Sequence, residues 1–141
     1  MIVYELTHFF HWFNGQLILE PLALGLYSSF SSTQQAIQYY ITQPGFRDQP
    51  EAFSVRQREV NGIVEHQEIF ETMVYFHTED YEYEYSVEIG LFGDEAIAHE
   101  ALSLYVRENM HLFNIPDLVA ERIVNRCILD KREWSEGFSV S

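Results

Sequence analysis

Residues 2–8 place Ile2, Tyr4 and Leu6 on one side and Val3, Glu5 and Thr7 on the other, and this period of two predicts a strand. Asn14-Gly15 is a turn signal, and a second strand is expected over about Gln16–Tyr27. Pro21 inside it points to an edge position or a bulge. The string SSFSST then opens a helix, with Ser31 and Gln34 at capping-box spacing. Ala36, Ile37, Tyr40 and Ile41 form its apolar face, and it stops before Pro44-Gly45. The loop GFRDQPEA leads to a strand over Phe53–Val60, closed by a turn at Asn61-Gly62.

The second half repeats this order. A strand over Ile69–Thr78 points Val74 and Phe76 one way. Tyr81–Phe92 alternates strictly: Tyr81, Tyr83, Tyr85, Val87, Ile89 and Leu91 on one face, Glu82, Glu84, Ser86 and Glu88 on the other. The tyrosine face is expected to fill the core. Asp94 caps a helix from Glu95 to about Asn109, with Glu95 suited to the positive end of its dipole. Ile115-Pro116 breaks the pattern, Ile123–Leu129 is a final strand, and LDKREWSEGFSVS is the tail.

Leu24–Ile41 superposes without gaps on Ile89–Val106. Gly25 meets Gly90, Leu26 meets Leu91, Ala36 meets Ala101 and Tyr40 meets Tyr105. The matched positions are a strand end, its connection and a helix's apolar face, which packing constrains. Upstream, VYELTH (Val3–His8) loosely echoes VYFHTE (Val74–Glu79). The expected fold is α+β: two tandem strand–strand–helix–strand repeats form a mixed or antiparallel sheet with both helices packed on one face. One domain is expected over 1–141, with repeat 1 at about 1–62, repeat 2 at about 69–130 and a tail at 131–141.

Charge adds the next constraint. The 141 residues hold 8 Lys and Arg against 22 Asp and Glu, a formal net charge of −14. That balance argues against binding nucleic acid or an anionic membrane; it fits an acidic protein kept soluble by its charge, or one that meets a basic partner. A hydrophobic content of 47% argues against disorder. MIVYELTHFFHW lacks the basic start and small-residue cleavage site of a signal peptide, and the single Cys127 fits a reducing cytoplasm. A cytoplasmic location is the expectation.

Catalytic chemistry finds little footing. His8 and His11 in THFFHWF have no further ligand at metal-site spacing, so they are expected among core or partner-facing aromatics. Cys127, flanked by Ile and Leu in IVNRCILD, is expected to be an inert buried thiol. No GxSxG, P-loop, GxGxxG or HExxH occurs, so neither an enzyme nor a metal or cofactor is expected. Trp134 and Phe138 in WSEGF either pin the tail or present an aromatic anchor to a partner.

Four strings together, VYELTH, GLYSSFSSTQQAIQYY, PGFRDQPEAFSV and LDKREWSEGF, resemble a family of small bacterial proteins of about half this length. That family is similar to immunity proteins encoded beside polymorphic or contact-dependent toxins. The resemblance implies a cognate toxin domain as partner, often a basic nuclease, blocked by occlusion of its substrate site. It carries no active-site residue over. The partner-binding residues expected are Glu79, Asp80, Glu82, Glu84 and Glu88 of the acidic strand, with Trp134 of the tail. The alternative is a small-molecule-sensing or regulatory module of duplicated α/β type, and a free sheet edge would also allow a homodimer.

Overall fold

The computed structural model describes residues 1–9 and 21–133. The turn at Asn14-Gly15, His11, the first part of the second expected strand, Trp134 and Phe138 lie outside the described residues. The described residues form an α+β structure with six strands and two α-helices, the strands pairing in both senses. The chain divides into two compact units, Met1–Glu59 with Ile128–Ser141, and Val60–Cys127.

In the first unit, β1 (Ile2–Phe9) lies between β2 (Pro21–Tyr27) and β3 (Phe53–Asn61), antiparallel to both. Pro21 is the first residue of β2, the outer strand, a position that tolerates proline. The β1–β2 register steps from Leu6↔Gly25 to Thr7↔Ala23, so Leu24 bulges. The backbone of 130–133 lies along this edge: Asp130 N–H donates to the Leu26 carbonyl at 2.8 Å and Glu133 N–H to the Leu24 carbonyl at 3.5 Å.

The N-cap of helix α1 (Phe30–Tyr40) lies two residues before the expected one. Ser29 is the N-cap, and its hydroxyl accepts from Ser32 N–H at 3.0 Å. The Asp130 carboxylate ties down the same turn, accepting from Ser28 N–H at 2.8 Å and Ser28 Oγ at 2.6 Å. The buried face is Thr33, Ala36 and Tyr40, while Ile41, expected inside, is 38% exposed. Ala36 and Tyr40 close a core with Leu6, Leu24, Tyr27 and Phe46. Phe46, read from sequence as loop, is fully buried against His8, Tyr40 and Phe53. Val3, Leu6 and His8 are fully buried and Ile2 is exposed, so β1 buries residues of both alternating sets.

In the second unit, β5 (Glu84–Phe92) pairs antiparallel with β4 (Glu68–Thr78) and, at Leu91 and Phe92, parallel with Val60 and Asn61 at the end of β3. On the far side of β4 lies β6 (Leu118–Ile128). β6 begins five residues before the expected start, because Asp117 adopts a left-handed φ of +63° and turns the chain directly after Pro116. The β4–β5 register steps from Thr72↔Gly90 to Met73↔Glu88, leaving Ile89 as a bulge. Phe70 therefore lies opposite Phe92, much as Tyr4 lies opposite Tyr27 in the first unit. By register, Ile69–Val74 is the counterpart of Val3–His8, five residues earlier than the echo seen in sequence.

Helix α2 (Glu95–Glu108) has Asp94 as N-cap, its Oδ1 accepting from Ala96 N–H at 2.8 Å and Ile97 N–H at 3.2 Å. Glu95 in the first turn and Arg107 in the last both suit the dipole. Ala98, Leu102 and Val106 are buried, and Val74, Phe76 and Leu102 centre one part of the core. Asp94→Ala should cost about 1 kcal/mol. The check is chemical denaturation beside Asp94→Asn, which keeps a capping oxygen and should lose less.

Candidate acidic hairpin site

The opening half of the acidic segment is a turn rather than a strand. Asp80 has a short side chain that competes for backbone partners. Its Oδ1 accepts from Thr78 Oγ1 at 2.6 Å and Glu82 N–H at 3.1 Å. Tyr81 adopts a left-handed φ of +59°, and Thr78 N–H reaches the Tyr83 carbonyl at 3.0 Å, closing the β4–β5 hairpin. The regular strand starts only at Glu84. These bonds to the ionised form hold the Asp80 carboxyl below its ordinary range, with Thr78 the largest contributor.

The tyrosine face divides accordingly. Tyr81 and Tyr83 are 56% and 61% exposed, which corrects the expectation that they fill the core. Tyr85 does pack inward, its ring stacked 4.8 Å from Phe76. The Tyr81 ring lies flat on His77 at 4.2 Å. His77 is buried, donates from Nδ1 to the Thr78 carbonyl at 2.8 Å, and turns Nε2 to within 3.5 Å of the exposed Glu121 carboxylate.

Glu79, Asp80, Glu82, Glu84 and Glu88 are all exposed, so the hairpin brings the five expected acidic residues to one surface segment that contains no Lys or Arg. Thr78, Glu79, Asp80, Glu82, Tyr83 and Asp117 line an open cavity of about 440 Å³. Trp134, the sixth expected residue, lies outside the described residues. The carboxylates differ in role. Asp80 holds the turn, and Glu84 accepts a hydrogen bond from the Tyr75 hydroxyl. Glu79 and Glu82 line the cavity with their charge open to solvent.

Charge is strongly asymmetric between the units. Val60–Cys127 holds fourteen Asp and Glu against three Arg, so −11 of the chain's −14 belongs to the unit carrying this hairpin. The sequence missed Tyr75, His77, Asp117 and Glu121 as neighbours of the acidic segment. Thr78 and Asp80, two residues apart, are the one local signal that could have marked the turn.

The Tyr75 hydroxyl gives the site a titration signature. Its hydrogen bond to Glu84, followed by desolvation and the Glu84 charge, pushes its pKa up to about 12. With the folded value above the unfolded one, this contact is complete below pH about 10 and is lost as pH rises through about 12. Ultraviolet titration should show Tyr75 as a late tyrosine beside Tyr27, whose burial also raises it, and Glu84→Gln should move Tyr75 alone earlier. An unchanged titration curve would contradict the contact.

Elsewhere, His8 is fully buried, donating from Nε2 to the Gln49 carbonyl at 3.0 Å between the Phe46 and Phe53 rings. This places it among core aromatics, one of the two settings expected of it. Cys127 is half-buried, its Sγ 3.9 Å from the Asn125 carbonyl. His99 is exposed and pairs with Glu95 at 3.6 Å. Among the described residues, no group of three or more His, Cys, Asp or Glu is arranged to hold a metal, and no helix is long and apolar enough to cross a membrane. No protein-family model matches the chain, and neither a curated protein nor a solved structure matches it significantly.

Proposed function

We propose that this chain is a non-enzymatic immunity-type inhibitor that binds a basic toxin domain in the cytoplasm of the producing cell. One observation carries the reading: an exposed hairpin with five carboxylates and no basic residue, on a unit of net charge −11. Such a surface raises the encounter rate with a cationic protein and forms charge-assisted hydrogen bonds to Lys and Arg. If the partner is a nuclease, those Lys and Arg would otherwise hold a phosphate backbone, and the carboxylates stand in for phosphates. Occlusion of the substrate site follows from the same contact.

The fold part of the reading is a tandem duplication. It is supported by coincidences across the ungapped match of 24–41 with 89–106. The bulges Leu24 and Ile89 occupy one matched position, and the N-caps Ser29 and Asp94 another. Duplication of a half-length unit also agrees with the family that the four sequence strings resemble.

The test is a protection assay. The toxin-like C-terminal region of the neighbouring large gene product is expressed with and without this chain, and growth and nucleic-acid integrity are followed. Rescue with co-purification is the expected result. Intact toxicity in the presence of the folded chain overturns the proposal.

A further inference from the structure

We propose that the open face of the Tyr81 ring, flanked by Glu84 and Glu121, takes an arginine side chain of the basic partner. The proposal rests on the inhibitor reading above and names the group that this hairpin holds.

The site is built within one unit, Val60–Cys127. β4 supplies Tyr75 and His77, two residues apart and so on one face of the strand, with ring centroids 5.2 Å apart. Glu84 of β5 lies opposite His77 in the register and accepts the Tyr75 hydroxyl through Oε2, leaving lone pairs for a further donor. Tyr81 comes from the turn, and its ring covers His77 with the two planes 6° apart. One face of that ring is thus occupied, and the other is open to solvent, since the residue is 56% exposed. β6 supplies Glu121, with a side chain 51% exposed and Oε1 3.5 Å from His77 Nε2. These groups share one place. Beyond its bond to Glu84, the Tyr75 hydroxyl lies in the field of Glu84, Tyr81 and Glu121.

His77 is the independent sign that a donor is wanted here. It is 4% exposed, and its Nδ1–H is already given to the Thr78 carbonyl. In the neutral ring Nε2 is then an acceptor, it has no hydrogen-bond partner, and it is aimed at a carboxylate oxygen that is also an acceptor. A cationic N–H donor drawn to Glu121 relieves the opposition of the two acceptors. An open tyrosine face attracts a cation, and two exposed carboxylates give it charge-assisted hydrogen bonds. A guanidinium satisfies both at once, because it stacks through its flat face and donates from its edge, whereas an ammonium is a hydrated point charge. The unit's own arginines lie elsewhere: Arg107 in the last turn of α2, Arg122 over Phe113 and Arg126 paired with Glu68.

The test is calorimetric titration of the full chain at low salt with hexaarginine and with hexalysine. Hexaarginine should bind at least about threefold more tightly than hexalysine. The double variant Tyr81→Asn with Glu121→Gln removes the ring and one charge, and asparagine tolerates the left-handed backbone at 81. It should bind hexaarginine at least about tenfold more weakly. Glu100→Gln removes the same charge from an exposed position on α2 and should cost less than about twofold. Glu121→Gln alone, which leaves the turn untouched, should fall between the two. Equal binding of the two peptides, or a double variant that loses no more than Glu100→Gln, overturns the arginine site but leaves the acidic-surface reading standing. Binding of neither peptide overturns both.

Discussion

Phe76→Ala should remove about 3–5 kcal/mol of stability. The side chain is fully buried, stacks on Tyr85 at 4.8 Å and tilts against Phe113 at 5.7 Å. Val74 and Leu102 pack in the same cluster. Deleting the ring exposes no polar group. The loss is therefore transfer energy plus a cavity that surrounding rings fill only in part. A small domain holds only about 5–15 kcal/mol in total, so the second unit would be left marginal. Urea denaturation should show a large drop in midpoint for Phe76→Ala and a smaller one for Phe76→Leu, which keeps most of the volume. Because Tyr85 leads directly into the hairpin, the alanine variant should also speed amide exchange in 84–87.

Gly25→Ala should cost on the order of 1–3 kcal/mol through backbone strain, with a steric cost added. Gly25 has a φ of +120°, and an added Cβ would lie 2.7 Å from the Lys131 carbonyl oxygen and 3.1 Å from the Tyr27 hydroxyl. The first contact is backbone and cannot swing away. The second is fixed, because the Tyr27 hydroxyl donates to the Leu24 carbonyl at 2.7 Å. Gly62→Ala is the control. Gly62 also has a positive φ, +86°, but the nearest atom to its Cβ is 4.0 Å away. It should lose about 1 kcal/mol. The difference between the two variants in a denaturation experiment measures how tightly 130–133 closes over β2. Equal losses would mean that the segment does not hold this edge.

Much of this architecture is legible in the sequence because it rests on short-range periodicity. The period-two runs at 2–8, 53–60 and 69–78 mark β1, β3 and β4 to within a residue or so, and the apolar spacing after Asp94 marks α2. The failures have local causes. DYEYEY alternates like a strand, but Asp80 bonds to Thr78 and Glu82 instead of leaving the ladder free to form, so the strand begins at Glu84. Four serines, Ser28, Ser29, Ser31 and Ser32, lie where α1 could be capped, and the winner, Ser29, is the one whose hydroxyl reaches Ser32 N–H. Phe46 lies in a polar, glycine- and proline-bearing loop, yet tertiary contact with His8 and Tyr40 buries it completely.

The acidic site is legible in composition and hidden in geometry. Its five carboxylates stand out in the sequence, but their division into turn-holding Asp80, Tyr75-bonded Glu84 and open Glu79 and Glu82 depends on neighbours distant in sequence. The concentration of charge in Val60–Cys127 becomes visible only once the unit boundary is known.

The central claim is that the hairpin's open carboxylates hold a basic partner. The most direct measurement is the association rate of the full chain with the toxin region, for the native sequence and for Glu79→Lys with Glu82→Lys. Among the described residues neither side chain has a structural bond to lose, because the turn is held by Asp80 and by the Glu82 backbone N–H. The account predicts a rate at least about tenfold slower for the double variant, a weaker dependence on salt, and unchanged thermal stability. An unchanged rate and salt dependence in a folded double variant would contradict it.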